Sequence, residues 1–361
     1  MKVADLGEHA LLARLLARLP RPPASVLVGP GDDAAVLAHV RNEHLVVTTD
    51  SLVEGVHYSR AYFAPADIGY KALAVNLSDL AAMGASPRWA LLSLVLPGSW
   101  PVADVEGIMD GVVELAKVHG VAVVGGNISR TNGPLVVDVT LGGSVRPRRW
   151  LTRSGAKPGD SIYVSGTLGG ARAGLEMLRE GSRDAATGAS GVATRREDSS
   201  ALSGGPACIA RQRRPEPRVR LGRAMAGAKA ARAAMDLSDG LADALRQVAA
   251  ASGCGVRVDA AALPIEPGAR AWWTARDVDS VRAAVTGGED YELLFAIPAR
   301  GGGRLRNARR HVAEPAMTKI GVFTRDAGTL VLEREGRDEG LPEAYEHFRE
   351  SGNLGTDDAH R

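Results

Sequence analysis

The carboxylates of this chain gather where the backbone is expected to change direction. Asp32 and Asp33 fall in Gly29-Pro30-Gly31-Asp32-Asp33, a turn ahead of an apolar run, and Asp50 ends a β-branched segment. Asp236 and Asp239 flank Ser238 where an Ala-rich stretch gives way to a helix at Gly240, and Glu289, Asp290 and Glu292 follow Gly287-Gly288. Most of these acids have a plain local explanation as turn, strand-end or helix-cap residues. Asp79 is the exception. It sits within an otherwise apolar helix, with Asn76 one turn earlier on the same face. A carboxylate there is costly to bury without a cation. Taken together, the acids point to a converging carboxylate cluster. An all-oxygen cluster suits Mg²⁺ rather than zinc, and Mg²⁺ held this way commonly handles phosphates.

The usual nucleotide signatures are missing from the sequence: it has no GxxxxGKS or GxxxxGKT loop and no protein-kinase DFG or HRD set. The stretch Gly166–Gly174, GTLGGARAG, follows a predicted strand and opens a predicted helix. Its backbone N–H groups are candidates to cradle a phosphate, with simple packing as the competing reading. Arg153, in Leu151-Thr152-Arg153-Ser154, is a candidate phosphate ligand or a surface arginine.

The elements that must carry these residues alternate along the chain. Strands are expected at His44–Thr49, Trp89–Leu96, Val121–Val124 and Leu135–Val145, and helices at Ala66–Met83 and Val102–His119. Lys157-Pro158-Gly159-Asp160 is a turn signal that restarts the pattern, with a strand at Ser161–Ser165 and a helix through Arg179. The chain therefore divides into residues 1–147 and 148–348, with a polar tail at 349–361. Residues 182–206, rich in Ser, Ala, Gly and Thr, read as a mobile insertion. Arg211–Arg223 carries six arginines and one glutamate and reads as a solvated helix face. Leu77-Ser78-Asp79 and Leu237-Ser238-Asp239 echo one another, too briefly to argue duplication.

Composition removes other classes. The chain has 361 residues and is 45% hydrophobic, enough for two cored domains. Its 44 basic and 42 acidic side chains leave a net charge of +2, and only 4% of residues are aromatic. Neither a basic excess nor a stacking platform for nucleic acid is present. No apolar run reaches membrane-spanning length, and the N-terminal segment reads as an amphipathic helix rather than a signal peptide. Cys208 and Cys254 make neither a disulfide framework nor a CxxC pair, which fits a cytoplasmic protein.

As a set, the motifs are specific. GDDAAV (31–36), TTDSLVEGVHY (48–58), GYKALAVNLSDLAAMGASP (69–87), VGGNISRTNGPL (124–135), LTRSGAKPGD (151–160), MDLSDGLADAL (235–245) and TGGEDYELLF (286–295) resemble the thiamine-monophosphate kinase family. That family belongs to a superfamily with aminoimidazole-ribonucleotide synthetase, selenophosphate synthetase and the hydrogenase-maturation protein HypE. The resemblance runs from about Gly29 to Phe348. It implies an α/β (α+β), two-domain, aminoimidazole-ribonucleotide-synthetase-like fold. The N-terminal domain would lend strands to a β-barrel across a homodimer, beside an ATP cleft between the domains.

The resemblance also implies ATP-dependent phosphorylation of thiamine monophosphate to thiamine diphosphate, the final step of thiamine diphosphate biosynthesis. Mg²⁺ would be the cofactor and ATP the co-substrate. It places Asp33, Thr48, Thr49, Asp50, Asp79 and Asp236 as Mg²⁺ ligands, and Asp239 at a further Mg²⁺. Asp236 and Asp239 would be the catalytic positions. Ser238, Gly126, Asn127 and Arg153 would meet ATP, and His57, Glu289 and Tyr345 the substrate. The family often reads Gly-Gly-Asp where this chain has Gly125-Gly126-Asn127, so one Mg²⁺ would be held more weakly or through water. The rivals are another ATP-using member of the superfamily and a non-catalytic nucleotide-binding homologue. Against selenophosphate synthetase, no Cys precedes Cys208; against HypE, the chain ends Ala359-His360-Arg361 rather than in Cys.

Overall fold

The computed structural model describes residues 1–30, 34–186, 204–310 and 312–343. The chain opens with α1 (Val3–Leu6) and α2 (Glu8–Leu16), divided at Gly7, where φ is +81°. The amphipathic reading holds in α2: Leu11 and Leu15 are buried, while Arg14 bonds Glu106 and the following Arg18 bonds Glu106 and Asp110. A short antiparallel pair follows, β1 (Val26–Val28) and β2 (Val36–Leu37).

The N-terminal sheet comprises β3 (His44–Val53), β4 (Ser86–Pro97), β5 (Ala122–Thr131) and β6 (Val136–Val145), with α3 (Pro65–Ala82) and α4 (Val102–His119). Strand order is β3-β6-β4-β5, antiparallel except for the β4–β5 pair. Alternation along each strand splits the sheet into two faces. On β4, Leu92, Leu94 and Leu96 are buried, whereas Leu91 opens to solvent. On β3, Leu45 and Val47 are 61% and 51% exposed, so this antiparallel sheet keeps an apolar open face.

The second sheet has seven strands: β7 (Ser161–Ser165), β8 (Ala233–Asp236), β9 (Gly255–Asp259), β10 (Leu293–Ile297), β11 (Met317–Thr324), β12 (Leu330–Arg334) and β13 (Arg337–Gly340). Their order is β13-β12-β9-β11-β7-β10-β8, and β12–β9 is the parallel pair. Its helices are α5 (Gly170–Ala186), α6 (Gly205–Arg213), α7 (Val219–Gly227), α8 (Leu241–Ser252), α9 (Pro267–Thr274), α10 (Ser280–Thr286) and α11 (Gly302–Arg309). One hydrophobic core runs from α3 and α4 through Leu221 and Met225 of α7 to Leu293 and Phe295 of β10. The two sheets are thus tied by shared packing, which holds the end of β8 against α3.

Three expectations need correction. Helix α5 runs past Arg179 to Ala186 and α6 begins at Gly205, so both ends of the expected 182–206 insertion are helical. The rest of that insertion, and the tail, lie outside the described residues. The strand expected to stop at Val124 continues through Gly125-Gly126-Asn127 to Thr131. The 211–223 arginines are not simply a solvated face. Arg218 is nearly buried and bonds Glu292, and Arg214 pairs with Asp67 and Glu114.

Candidate active site

A cleft of about 1100 Å³ lies between the two sheets. Three of the expected acids, Asp50, Asp79 and Asp239, line it, and a fourth, Asp236, is buried beside Asp79 and Asp50. Asp50 comes from β3, Asp79 from the last turns of α3, Asp236 from the end of β8, and Asp239 from the loop that starts α8. Thr48 donates its hydroxyl to Asp79. The Ser78 hydroxyl donates to Asp236 Oδ2 at 2.8 Å, and the Ser238 hydroxyl is 3.5 Å from Oδ1. The two LSD segments therefore face each other across the domains, with Asp236 between their serines.

The electrostatics are those of carboxylates crowded together at one part of the cleft, with Arg153 only partly offsetting them. Burial, together with the charges of Asp79 and Asp50, pushes the Asp236 carboxyl up to about 7. Desolvation and the charges of Asp79, Asp239 and Asp138 push Asp50 up to about 7, although the residue opens to the cleft. Asp79 is raised chiefly by burial, against the opposing effects of the Thr48 hydrogen bond and the Arg153 charge. Like charges in a poorly solvated site disfavour ionisation unless cations enter. Among the described residues, no three His, Cys, Asp or Glu side chains are close enough to hold one ion. The site is thus a ring of carboxylates rather than a closed protein cage. That donor set fits Mg²⁺, which usually takes one or two carboxylates and completes its shell with water and phosphate oxygens.

Opposite the acids, Lys71 of α3 is fully buried and pairs with Glu289 Oε1 at 2.6 Å, and also donates to the His57 carbonyl at 3.2 Å. Gln212 Nε2 donates to Glu289 Oε2 at 2.6 Å. The His57 Nδ1 accepts from the Val53 N–H at 3.0 Å. Around Asp290 the backbone is strained: Glu289 and Tyr291 hold φ of +67° and +49°, uncommon for residues with side chains. The loop is clamped there by the Glu289 N–H on the Ser238 carbonyl and the Tyr291 N–H on the Leu237 carbonyl. Trp272 lines the cleft with its ring 3.1 Å from the Arg276 guanidinium carbon, and its indole N–H reaches Glu176.

Residues 31–145 match the family model "AIR synthase related protein, N-terminal domain", and residues 157–300 match its C-terminal counterpart. Thiamine-monophosphate kinase of Escherichia coli strain K12 is 40% identical over 346 residues, 95% of this chain and 98% of that one. The chain belongs to the thiamine-monophosphate kinase family. A crystal structure of thiamine-monophosphate kinase from Stenotrophomonas maltophilia K279a is 38% identical, covers 92% of this chain and 96% of its own, and superposes with a TM-score of 0.74. A structure described as AaThiL complexed with AMPPCP and TMP is 32% identical, covers 96% of this chain and 99% of its own, and has a TM-score of 0.70. The fold is accordingly the mixed α/β, two-domain AIR-synthase type.

Seen as a thiamine-monophosphate kinase, the chain does not bring every expected residue to the cleft. Thr49 follows Thr48 on a strand and points the other way; its hydroxyl bonds the Val139 carbonyl and Thr140 on the open face. Asn127 also faces outward, in register with Ser93 and bonded to Ser129 at 2.8 Å. Its missing charge is therefore not lost from the four-aspartate ring. Gly126 shares a cross-strand row with Asp50, Val139 and Leu92. A Cβ there would lie 1.8 Å from the Leu92 carbonyl oxygen, so strand packing requires the glycine. Arg153 lines the cleft and bonds Gln247. Asp33 and Tyr345 lie outside the described residues.

The expected phosphate cradle at Gly166–Gly174 is already filled. The Gly169 and Ala171 N–H groups donate to the Asp290 carboxylate at 2.5 and 3.1 Å. Sequence reading missed Lys71, Gln212, Ser78 and the Trp272–Arg276 pair. Only two of these carried a signal: Lys71 interrupts an apolar helix as Asp79 does, and Trp272-Trp273 stands out in a chain poor in aromatics.

Proposed function

We propose that this chain transfers the γ-phosphoryl group of ATP to thiamine monophosphate, giving thiamine diphosphate and ADP. The observation that carries the reading is the convergence of Asp50, Asp79 and Asp239 on one cleft with Asp236 buried beside them, in a chain 40% identical to a thiamine-monophosphate kinase. The acceptor is a phosphate already ionised near neutral pH, so no general base is required. Asp50, Asp79, Asp236 and Asp239 then act by position and charge, not by moving a proton. Mg²⁺ bound there would neutralise the two anionic reactants and the charge that develops during in-line transfer. Arg153 faces the phosphates, and Ser238 lies beside them at the end of β8. Glu289 and His57, both tethered by Lys71, hold the acceptor. Asp33 and Tyr345 are proposed in their family roles as metal ligand and thiamine contact.

The apolar open face of the N-terminal sheet supports a homodimer, with strands of two copies closing a barrel. Two unpaired, buried thiols suit the cytoplasm. The deciding assay mixes purified protein with ATP, Mg²⁺ and thiamine monophosphate and scores thiamine diphosphate. Turnover is expected. Binding of both ligands without turnover would instead favour a nucleotide-binding regulator.

A further inference from the structure

We propose that a second, basic cavity binds a linear di- or triphosphate, separately from the catalytic cleft. The cavity has a volume of about 470 Å³ and shares no lining residue with the cleft. Three segments form it: 148–151, which joins the two sheets; 226–232, which leads into β8; and Pro298–Arg304, at the start of α11. They bring Arg148, Arg149, Lys229, Arg232, Arg300 and Arg304 around one concavity, and no carboxylate is among the residues lining it.

Clustered cations on a protein surface are ordinarily paired with acids, and these largely are not. Arg232 faces Asp160 at 3.7 Å, the one carboxylate pairing any of the six among the described residues. Arg149 donates to the Gly227 carbonyl at 2.7 Å and Arg304 to the Lys229 carbonyl at 3.5 Å. Both bonds fix the direction of a guanidinium without neutralising it. Arg148 and Lys229 hold left-handed backbones, with φ of +61° and +50°. Strain of that kind persists where surrounding structure enforces it. Like charges focused by low-dielectric walls attract a counter-ion of matching charge. Six cations exceed what a single phosphate can engage, and guanidinium forks match successive phosphoryl groups. The cavity size suits one small molecule. Trp150, 44% exposed at the lining, offers a face to a ring if the phosphate chain carries one.

The test is calorimetric titration of the full-length protein in EDTA at physiological ionic strength, with inorganic triphosphate, ATP and a single-stranded oligonucleotide as probes. Saturable triphosphate binding is expected. It should weaken about tenfold or more in the double variant Arg300→Gln/Arg304→Gln and in Arg148→Gln. Binding should be unchanged in Asp236→Asn and in Arg325→Gln, an exposed arginine outside the cavity. Equal affinity for ATP and triphosphate identifies the phosphate chain as the ligand. Tighter ATP binding, lost in Trp150→Ala, identifies a nucleotide. Absent saturable binding, or binding indifferent to the cavity arginines, overturns the proposal. So does an oligonucleotide that outcompetes triphosphate at the same arginines. None of these outcomes depends on turnover, so they stand apart from the kinase assay.

Discussion

Asp236 carries two opposed roles in one side chain. Its carboxylate is buried beside Asp79 and Asp50, so its charge works against the fold until cations arrive. In the proposed mechanism the same charge would draw in Mg²⁺, and the phosphates would follow the metal. Asp236→Asn keeps the shape and the Ser78 contact while removing the charge. The metal-free variant is expected to melt at a higher temperature than wild type, and kcat should fall about a hundredfold or more, with partial recovery at high Mg²⁺. Thermal melts and steady-state kinetics on one preparation check both halves. Full activity would remove the aspartate ring from the mechanism. Lys71 is the complementary case, a cation whose burial is matched by Glu289 at 2.6 Å.

At the scale of elements, the glycine-rich loop before α5 works by being filled from within. Asp290 caps it, and the neighbouring Glu292 is fully buried on Ser165, Arg211 and Arg218. Gly166 makes room for that cluster; with φ of +58°, a Cβ there would lie 2.0 Å from Glu292 Oε1. The arginine-rich segment around α6 and α7 thus serves as counter-charge to a buried acid. Arg218→Met leaves buried Glu292 only the longer 3.4 Å contact with Arg211, and is expected to destabilise the protein by up to about 3 kcal/mol in denaturant unfolding. Adding Glu292→Gln should restore part of that loss, because the under-compensated buried charge disappears. A single variant as stable as wild type would show that the buried pair contributes little.

For the whole molecule, pH and metal act on the same account. Burial pushes the Asp236 and Asp290 carboxyls up to about 7 in the folded chain, from the ordinary 3.8, with the Asp79 charge adding to the shift at Asp236. Between those limits the folded chain holds protons that the unfolded chain has released, so stability falls as pH rises and levels off above about 7. Metal-free protein is therefore expected to melt higher at about pH 5.5 than at about pH 8, and Mg²⁺ to stabilise it more at the higher pH. The acids held low by arginines, Glu106, Asp279 and Asp338, oppose this trend only below their ordinary range. A melting temperature that climbs from pH 5.5 to 8 without metal would contradict the buried-acid reading. The open sheet face makes its own prediction. Val47→Asp puts a charge in the middle of an apolar patch; on the proposed dimer, light scattering is expected to give wild type as a dimer and this variant as a monomer.

Period and punctuation were enough to locate the strands and helices of the N-terminal sheet, because alternating and helical spacing report local backbone geometry. Ser161–Ser165 and Val102–His119 fall where spacing put them. The oddity of a charge on an apolar helix likewise marked Asp79 from sequence alone, since burial cost belongs to the residue itself. What sequence left undecided were partners. Nothing in the order of residues told that Asp290 would take the loop amides, or that Glu292 would claim Arg218 from 74 positions away. Nor did it tell which of Thr48 and Thr49 would face the cleft, because adjacent strand residues differ only in which side the sheet buries. Those choices depend on distances closed by tertiary packing. The same packing turned a nearly neutral chain into one with a cluster of carboxylates at its cleft and a separate cationic cavity.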